Sequence, residues 1–423
     1  MLGFGVTQRR PLKDCVESPR MFGQAKAVAQ VARCGMSRGR PVSLVYLITM
    51  KCNARCKMCN YWKEVYGPES EGRTTMTLEQ IDAFSRSMGR LLQIQISGGE
   101  PFLRKDMGDV MLTMARNCRP VYMTIPTNCS TPQRIIEAVD RLCAEFPSMM
   151  VRMNPSIDGY GEQHDEIRKV PGLYEKCRET ITKLRELQKK HKNLTVNLAL
   201  VLTNYNVEGI DETVDKLRED LCPDHFNVMM ARGDTPDRKT LEVPVEEYER
   251  IAEKVRSEAK PKNGTGHPLR SLGRVLEKEV TYYVAQTMKE KRQVVPCIGG
   301  TKHIMIDDDG SILPCDILKP FLLHNPTDEL PSPYMARLAD HNYSVPDALA
   351  SSYAQKVAQF VQDGKCWCTT ECLLTPSILL QPSMYPRLAK TALKQFIEDM
   401  AFPHRNGHHT ATGDGALNTG SGG

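Results

Sequence analysis

Between residues 41 and 240 the sequence switches repeatedly between short apolar runs and longer amphipathic segments. Runs near 43–49, 93–97, 121–126, 151–157, 194–202 and 225–230 have the length and composition of buried strands. The segments near 77–88, 106–117, 132–145, 172–190 and 207–219 read as helices, and Thr77-Leu-Glu-Gln80 is a capping-box pattern at the start of the first. Six βα repeats imply a parallel sheet, because parallel neighbours are joined only through a long crossover, here a helix. The fold class is α/β, with the helices outside. Such folds gather their chemistry at the carboxyl ends of the strands, so the residues after each run carry the functional reading.

The first run leads into Cys52-Asn-Ala-Arg-Cys56-Lys-Met-Cys59, a C-x3-C-x2-C spacing. Three thiolates on one tight loop can ligate three irons of a [4Fe–4S] cluster, whose usual ligand set is four cysteines. The remaining iron is then open to a small molecule. A zinc loop, or three unrelated thiols, is the alternative reading of these residues alone. The second run, Gln93-Ile-Gln-Ile-Ser97, leads into Gly98-Gly99-Glu100-Pro101. Glycine removes Cβ where a ligand must come close, and Glu100 adds a negative group.

In this order and at these strand ends, the two motifs resemble those of the radical S-adenosylmethionine (SAM) superfamily. The resemblance implies a partial (β/α)6 barrel and a cluster held by Cys52, Cys56 and Cys59. In that family the open iron chelates SAM, which is cleaved reductively to a 5′-deoxyadenosyl radical that takes hydrogen from substrate. Gly98, Gly99, Glu100 and Pro101 would then face the methionine amino group. Thr127-Asn128 after the third run is similar to the family's T-N-G, with Cys129 in place of glycine. Ser156-Ile-Asp158-Gly159, followed by His164-Asp165-Glu-Ile-Arg168, resembles the S-I-D-G…H-D-x-I-R pattern of the molybdenum-cofactor and sulfatase-maturase branches. The resemblance places Asn128 and Ser156 near the SAM ribose and Arg168 near its carboxylate, which a guanidinium fork can grip with two parallel hydrogen bonds. A surface salt bridge for Arg168 and a turn-forming role for Asp158 are the alternatives.

After a charged, helix-patterned stretch over 241–292, a second cysteine group appears. Cys297, Gly310 and Cys315 stand in a C-x12-G-x4-C pattern, followed by Cys366-Trp-Cys368-Thr-Thr-Glu-Cys372. Asp307-Asp308-Asp309-Gly310 supplies a hairpin turn between 303–306 and 311–313, which brings Cys297 and Cys315 together. This resembles the opening of SPASM and twitch auxiliary-cluster domains, but the later cysteines depart from the SPASM pattern. Five thiols cannot complete two clusters, so one auxiliary [4Fe–4S] cluster is expected. Its expected ligands are Cys297, Cys315 and Cys372, with Cys366 or Cys368 as the fourth. Side chains alternate along an extended segment, and the x3 spacing to Cys372 favours Cys368, leaving Cys366 as a free thiol. A zinc site is the alternative.

The rest of the chain narrows the function. Residues 1–40 hold eight Lys/Arg against Asp14 and Glu17, so this basic arm, with a helix expected over about 21–36, carries +6 of a total +5. The body therefore has no nucleic-acid-binding surplus, although the arm could touch anionic lipid. No run is long enough to span a bilayer and no secretion signal stands at the start. Fifteen cysteines without such a signal point to a reducing, cytoplasmic setting and to metal clusters. The expected organisation is a basic arm (1–40), a radical SAM core (41–240), a helical bridge (241–292), a small α+β auxiliary-cluster domain (293–400) and a disordered tail (401–423). The expected function is an oxidoreductase acting on a peptide or small molecule and fed by a reductant such as flavodoxin or ferredoxin. With about 40 residues ahead of the core, no fused leader-binding domain is expected. A non-catalytic iron–sulfur carrier or scaffold is the alternative, disfavoured because a carrier needs neither an open iron nor Gly98–Pro101.

Overall fold

The computed structural model describes residues 39–257 and 268–401. The basic arm, apart from Gly39 and Arg40, and the tail from residue 402 onward lie outside the described residues. Six parallel strands follow the apolar runs: β1 (Ser43–Thr49), β2 (Gln93–Gly98), β3 (Tyr122–Thr127), β4 (Met150–Pro155), β5 (Leu194–Leu202) and β6 (His225–Met230). Helices connect them, and Leu78–Met88 begins with the expected capping box: Thr77 Oγ1 accepts from Gln80 N at 3.3 Å while Gln80 Oε1 accepts from Thr77 N at 2.9 Å. The short helix Glu162–Arg168 was not legible, since seven residues are too few to show a helical period.

The hairpin of the second cysteine group is not a separate layer. Its first strand, β7 (His303–Ile306), pairs parallel with β1, from Ser43 opposite His303 to Tyr46 opposite Ile306. β8 (Ser311–Leu313) and β9 (Ala336–Arg337) follow antiparallel, giving one nine-stranded sheet in the order β6-β5-β4-β3-β2-β1-β7-β8-β9. β1 therefore has a partner on each edge, and all seven of its residues are buried. Leu44, Tyr46 and Ile48 face the main core under the helices, while Val45 and Leu47 point to the other face, where they pack with Met50, Met305 and Leu313. On β3 and β4 burial alternates strictly, with Met123, Ile125, Val151 and Met153 in the core and Tyr122, Thr124, Arg152 and Asn154 half-buried on the inner face. That alternation gives an apolar outside packed on helices and a polar lumen.

The bridge forms two helices, Val245–Ser257 and Pro268–Glu290. The second is tied to the last helix, Tyr385–Ala401, where buried Glu279 accepts from Arg387 Nε at 2.6 Å and from Thr391 Oγ1 at 2.5 Å. No helix among the described residues is long and apolar enough to cross a membrane.

Candidate active site

The cysteine loop leaves β1 at the carboxyl rim and is held from three directions. From β2, Gly99 N donates to Thr49 O at 2.8 Å and Glu100 N to Lys51 O at 2.9 Å. A Cβ on Gly98, which has φ +117°, would lie 2.3 Å from Thr49 O, and one on Gly99 would lie 2.4 Å from Lys51 O. Contact between the two rims thus already requires both glycines. From β3, Asn128 Nδ2 and Ser130 Oγ donate to Asn53 Oδ1 at 2.9 and 3.2 Å. From the helix Glu162–Arg168, the carbonyls of Arg168 and Ile167 accept from Arg55 N at 3.2 Å and Lys57 N at 3.1 Å. Just past the loop, Asn60 Oδ1 accepts from Asp234 N at 3.2 Å, and Gly233 (φ +75°) packs directly on it. Burial pushes the thiols up, to about 11 for Cys52 and about 12 for Cys59, with Cys56 moved the same way.

The other expected SAM-site residues surround this loop. Glu100 is fully buried; Oε2 accepts from Asn128 N at 2.6 Å, and Oε1 from Thr127 Oγ1 at 2.8 Å and Phe102 N at 3.2 Å. Burial pushes its carboxyl up to about 7 against these donors. Pro101 opens a short 3-10 turn that turns the chain away from the rim. Ser156 continues β4, its N–H donating to Thr127 O at 2.9 Å. Cys129 adopts φ +62°, the left-handed conformation for which glycine is the ordinary choice, and its side chain is buried beside Cys177. Cys177 Sγ in turn donates to Asn128 O at 3.4 Å and lies 3.8 Å from His164 Nε2. Arg168 is no surface ion pair: Nε and Nη2 each lie 2.7 Å from Asp158 Oδ2, and Asp158 is wholly buried. Asp158 Oδ1 accepts from Val201 N at 2.9 Å, so it is an anchor and not merely a turn residue.

The second cysteine group divides differently from its spacing. Cys297, Cys315, Cys366 and Cys368 line one cavity with an empty volume of about 500 Å³, walled otherwise mainly by apolar side chains such as Ile317, Phe321 and Leu374. Cys366, expected to be free, is among the four. Cys372, expected to be a ligand, turns to the other side and packs with Val45, Leu47, Met50, Met305 and Leu313. The reason is local: a helix begins at Glu371, so the x3 spacing spans an extended piece and the first turn of a helix, which point apart. Burial pushes Cys297 up to about 12 and raises the other three as well. Cysteines Cys118 and Cys143 are free and buried in the core, whereas Cys222 is not a free thiol.

Between the two cysteine groups lies a second cavity with an empty volume of about 330 Å³, bordered by Leu47, Tyr61, Asp316, Lys319 and Tyr334. Its carboxylates outnumber its cations. Lys319 Nζ bonds Glu64 at 2.5 Å and also Glu69; Arg73 bonds Asp307 at 2.8 Å and also Asp308. Asp316 accepts from Thr370 Oγ1 at 3.3 Å and has no ion-pair partner among the described residues. Burial pushes Asp307 up to about 6 despite Arg73. Arg232, just after β6, links the two regions by donating to Thr369 O at 3.0 Å and Glu371 at 2.5 Å. Asn53 and Asn60 are structural parts of the site with no motif of their own, whereas Arg232 belongs to the Arg232-Gly233-Asp234 segment that follows the sixth apolar run, where a strand end is expected to face the site.

The site thus consists of a parallel βα sheet with a clamped three-cysteine loop and a glycine-built rim at its carboxyl end. Residues 46–217 match the Radical SAM superfamily. It is 28% identical over 135 residues to a GTP 3′,8-cyclase of Pasteurella multocida (strain Pm70), covering 30% of this chain and 40% of that protein. It is 32% identical over 83 residues to a GTP 3′,8-cyclase of Yersinia pestis, covering 19% of this chain and 24% of that protein. The chain thus spans less than half the length of either relative. The fold is similar to that of Streptococcus suis SuiB bound to the precursor peptide SuiA, with TM-score 0.51, 18% identity, and 78% of this chain and 68% of that one covered. It is also similar to native anSMEcpe with bound AdoMet, with TM-score 0.50, 15% identity, and 84% and 100% covered.

Proposed function

We propose that this protein is a radical SAM oxidoreductase with two [4Fe–4S] clusters, one held by Cys52, Cys56 and Cys59 and an auxiliary one held by Cys297, Cys315, Cys366 and Cys368. The observation that carries this reading is the cavity lined by four thiols from three separate segments, distinct from the cysteine loop. The donor sets fit. Thiolates are the ligands of iron–sulfur clusters, four complete a cubane and three leave one iron open. The four thiols line a volume instead of converging on a point, and among the described residues no three His, Cys, Asp or Glu side chains gather as for a single ion. That favours a cluster over zinc.

When bound, the first cluster and SAM supply radical hydrogen abstraction, and the auxiliary cluster supplies an electron route or a substrate ligand. The chain's own residues bind and orient. Gly98, Gly99, Glu100 and Pro101 shape the rim where the SAM methionine group would lie, and Asn128 and Ser156 line the neighbouring strand ends. The substrate would occupy the cavity between the two cysteine groups. Its surplus of carboxylates suits a substrate group with positive charge and disfavours a triphosphate, so the cyclase relatives are a poor guide to substrate. A peptide side chain or an amine-bearing small molecule fits this wall, with electrons from a flavodoxin- or ferredoxin-type reductant. The test is anaerobic reconstitution, iron analysis and measurement of 5′-deoxyadenosine. About eight irons and SAM cleavage are expected from this ligand count; four irons in the wild type would remove the auxiliary cluster, and absence of SAM cleavage would remove the enzymatic reading.

A further inference from the structure

The cysteine loop carries cations as well as thiols. In Lys51-Cys52-Asn-Ala-Arg55-Cys56-Lys57 a Lys or Arg adjoins two of the three cysteines. Adjacent Cα atoms are about 3.8 Å apart, so whatever touches these cations stands against the loop itself. Lys51 and Arg55 are exposed. Arg55 is held in place: Nη1 donates to Cys52 O at 3.1 Å and Ala54 O at 3.0 Å, and the guanidinium lies 4.6 Å from the centre of the Tyr66 ring. Two neighbouring segments extend the patch. Arg55 N donates to Arg168 O at 3.2 Å, which brings exposed Lys169 to the loop. Asp237 N donates to Lys57 O at 3.3 Å, which brings exposed Arg238 and Lys239 to it as well. Lys57 pairs with Glu166 at 2.9 Å, but Lys51, Arg55, Lys169, Arg238 and Lys239 have no ion pair among the described residues. The nearby carboxylates do not cancel them: Asp237 accepts from the Tyr205 hydroxyl and from Lys239 N, and Asp165 accepts from Gly172 N at 2.6 Å and Tyr174 N at 2.7 Å. With +6 of the total +5 in residues 1–40, the rest of the chain sums to −1, so these cations are a local concentration and not part of a basic body.

We propose that this patch docks an acidic electron-carrier protein, which passes its electron to the cluster on Cys52, Cys56 and Cys59 through the loop it touches. This rests on the reading that these three cysteines hold a cluster. The carrier loses one electron and the oxidised cluster gains it; no bond or proton is exchanged. Complementary charge steers such an encounter from a distance and fixes which face of the partner arrives first. A nucleic acid is also attracted by cations, but it brings no electron to the loop that needs one.

The test uses the full chain and an acidic flavodoxin. Binding of oxidised flavodoxin is followed by its flavin fluorescence, and reduction of the reconstituted protein by reduced flavodoxin is followed by stopped-flow absorbance. Raising the ionic strength from about 0.01 to about 0.1 M shortens the screening length from about 30 to about 10 Å, and should weaken binding and slow reduction about tenfold. K169E/R238E/K239E, which leaves the cysteine loop untouched, should weaken binding about tenfold at low salt while reduction by dithionite is unchanged. K51E/R55E should weaken it further; if that variant does not assemble, the triple variant decides alone. Wild-type affinity in the variants overturns the proposal, as does binding indifferent to salt or equal affinity for a short DNA duplex. Flavodoxin binding as expected without any SAM cleavage leaves the docking surface standing and overturns the radical reading. SAM cleavage driven by dithionite without flavodoxin binding overturns the docking surface alone.

Discussion

The two cysteine groups are built in opposite ways. The first takes three thiols from eight consecutive residues, and its surroundings are hydrogen bonds: Asn53, Asn60 and the backbone at Arg55 and Lys57 fasten the loop to three strand ends or helices. The second draws four thiols from segments up to 71 residues apart and surrounds them with apolar side chains. A local site needs external clamps because its own chain is too short to fix three side chains. A non-local site is fixed by the elements that deliver it, and can be dry. A dry shell lowers solvent access and shifts potential, whereas a hydrogen-bonded, partly open one admits a ligand. Under the proposed function, this difference divides the two roles: reaction with SAM at the first site, electron traffic at the second.

The largest effect that could break this division is on catalysis. C52A/C56A/C59A should abolish 5′-deoxyadenosine formation, while C297A/C315A should keep part of the substrate-free cleavage; equal loss in both would show that the sites are not separable in function. Next in size is iron. C366S should lower iron from about eight to about four per chain and C372S should leave it near eight, by the four-thiol requirement of a complete cluster. The reverse outcome would restore the assignment read from spacing. Then come the clamps. G99A should destabilise the folded protein by about 3 kcal/mol or more in denaturant unfolding, because its Cβ meets backbone that cannot yield. N53A, which leaves Asn128 and Ser130 without their acceptor, should cost about 1–3 kcal/mol and speed iron loss to a chelator. Wild-type behaviour of N53A would mean the loop needs no strap.

The smallest effect concerns the joint between the two regions. His303 is buried beside Ser43, with Nδ1 2.8 Å from its hydroxyl, and burial pushes its pKa down to about 4. Below the ordinary imidazole value near 6.5 the unfolded chain takes a proton that the folded one refuses. Stability from this group is therefore present above 6.5 and is lost as pH falls toward 4, by about 1.4 kcal/mol per pH unit. In H303Q the unfolding free energy should depend less steeply on pH over that window; an unchanged slope would show that His303 is protonated in the folded state.

The six strands and the five longer helices of residues 41–240 were legible because each is long enough to show its period. The cysteine loop and the Gly98–Pro101 rim were legible for the same reason, being local in sequence. What could not be read was set by tertiary contact. The choice between Cys366 and Cys372 turns on a helix starting at Glu371, and the apolar run after it does not announce a helix start. Nor does any spacing reveal that Arg168 turns toward Asp158, or that β7 lies against β1. The carboxylate surplus of the central cavity gathers residues from 64, 307 and 316, which no window along the chain contains.

The pairing of β7 with β1 has a consequence for how the protein is made. β1 is the uncharged run Ser-Leu-Val-Tyr-Leu-Ile-Thr, a sequence suited to stray strand pairing. Until residue 303 has been synthesised, one edge of that strand has no partner, although all six strands of the first region already exist. An exposed, apolar strand edge is a template for aggregation. Cutting the gene between the two regions, near residue 292, would not yield a smaller catalytic unit. It would yield a chain with an open seam at its first strand, prone to collect in inclusion bodies, and the hairpin that delivers Cys297 and Cys315 would be missing as the guard of that seam.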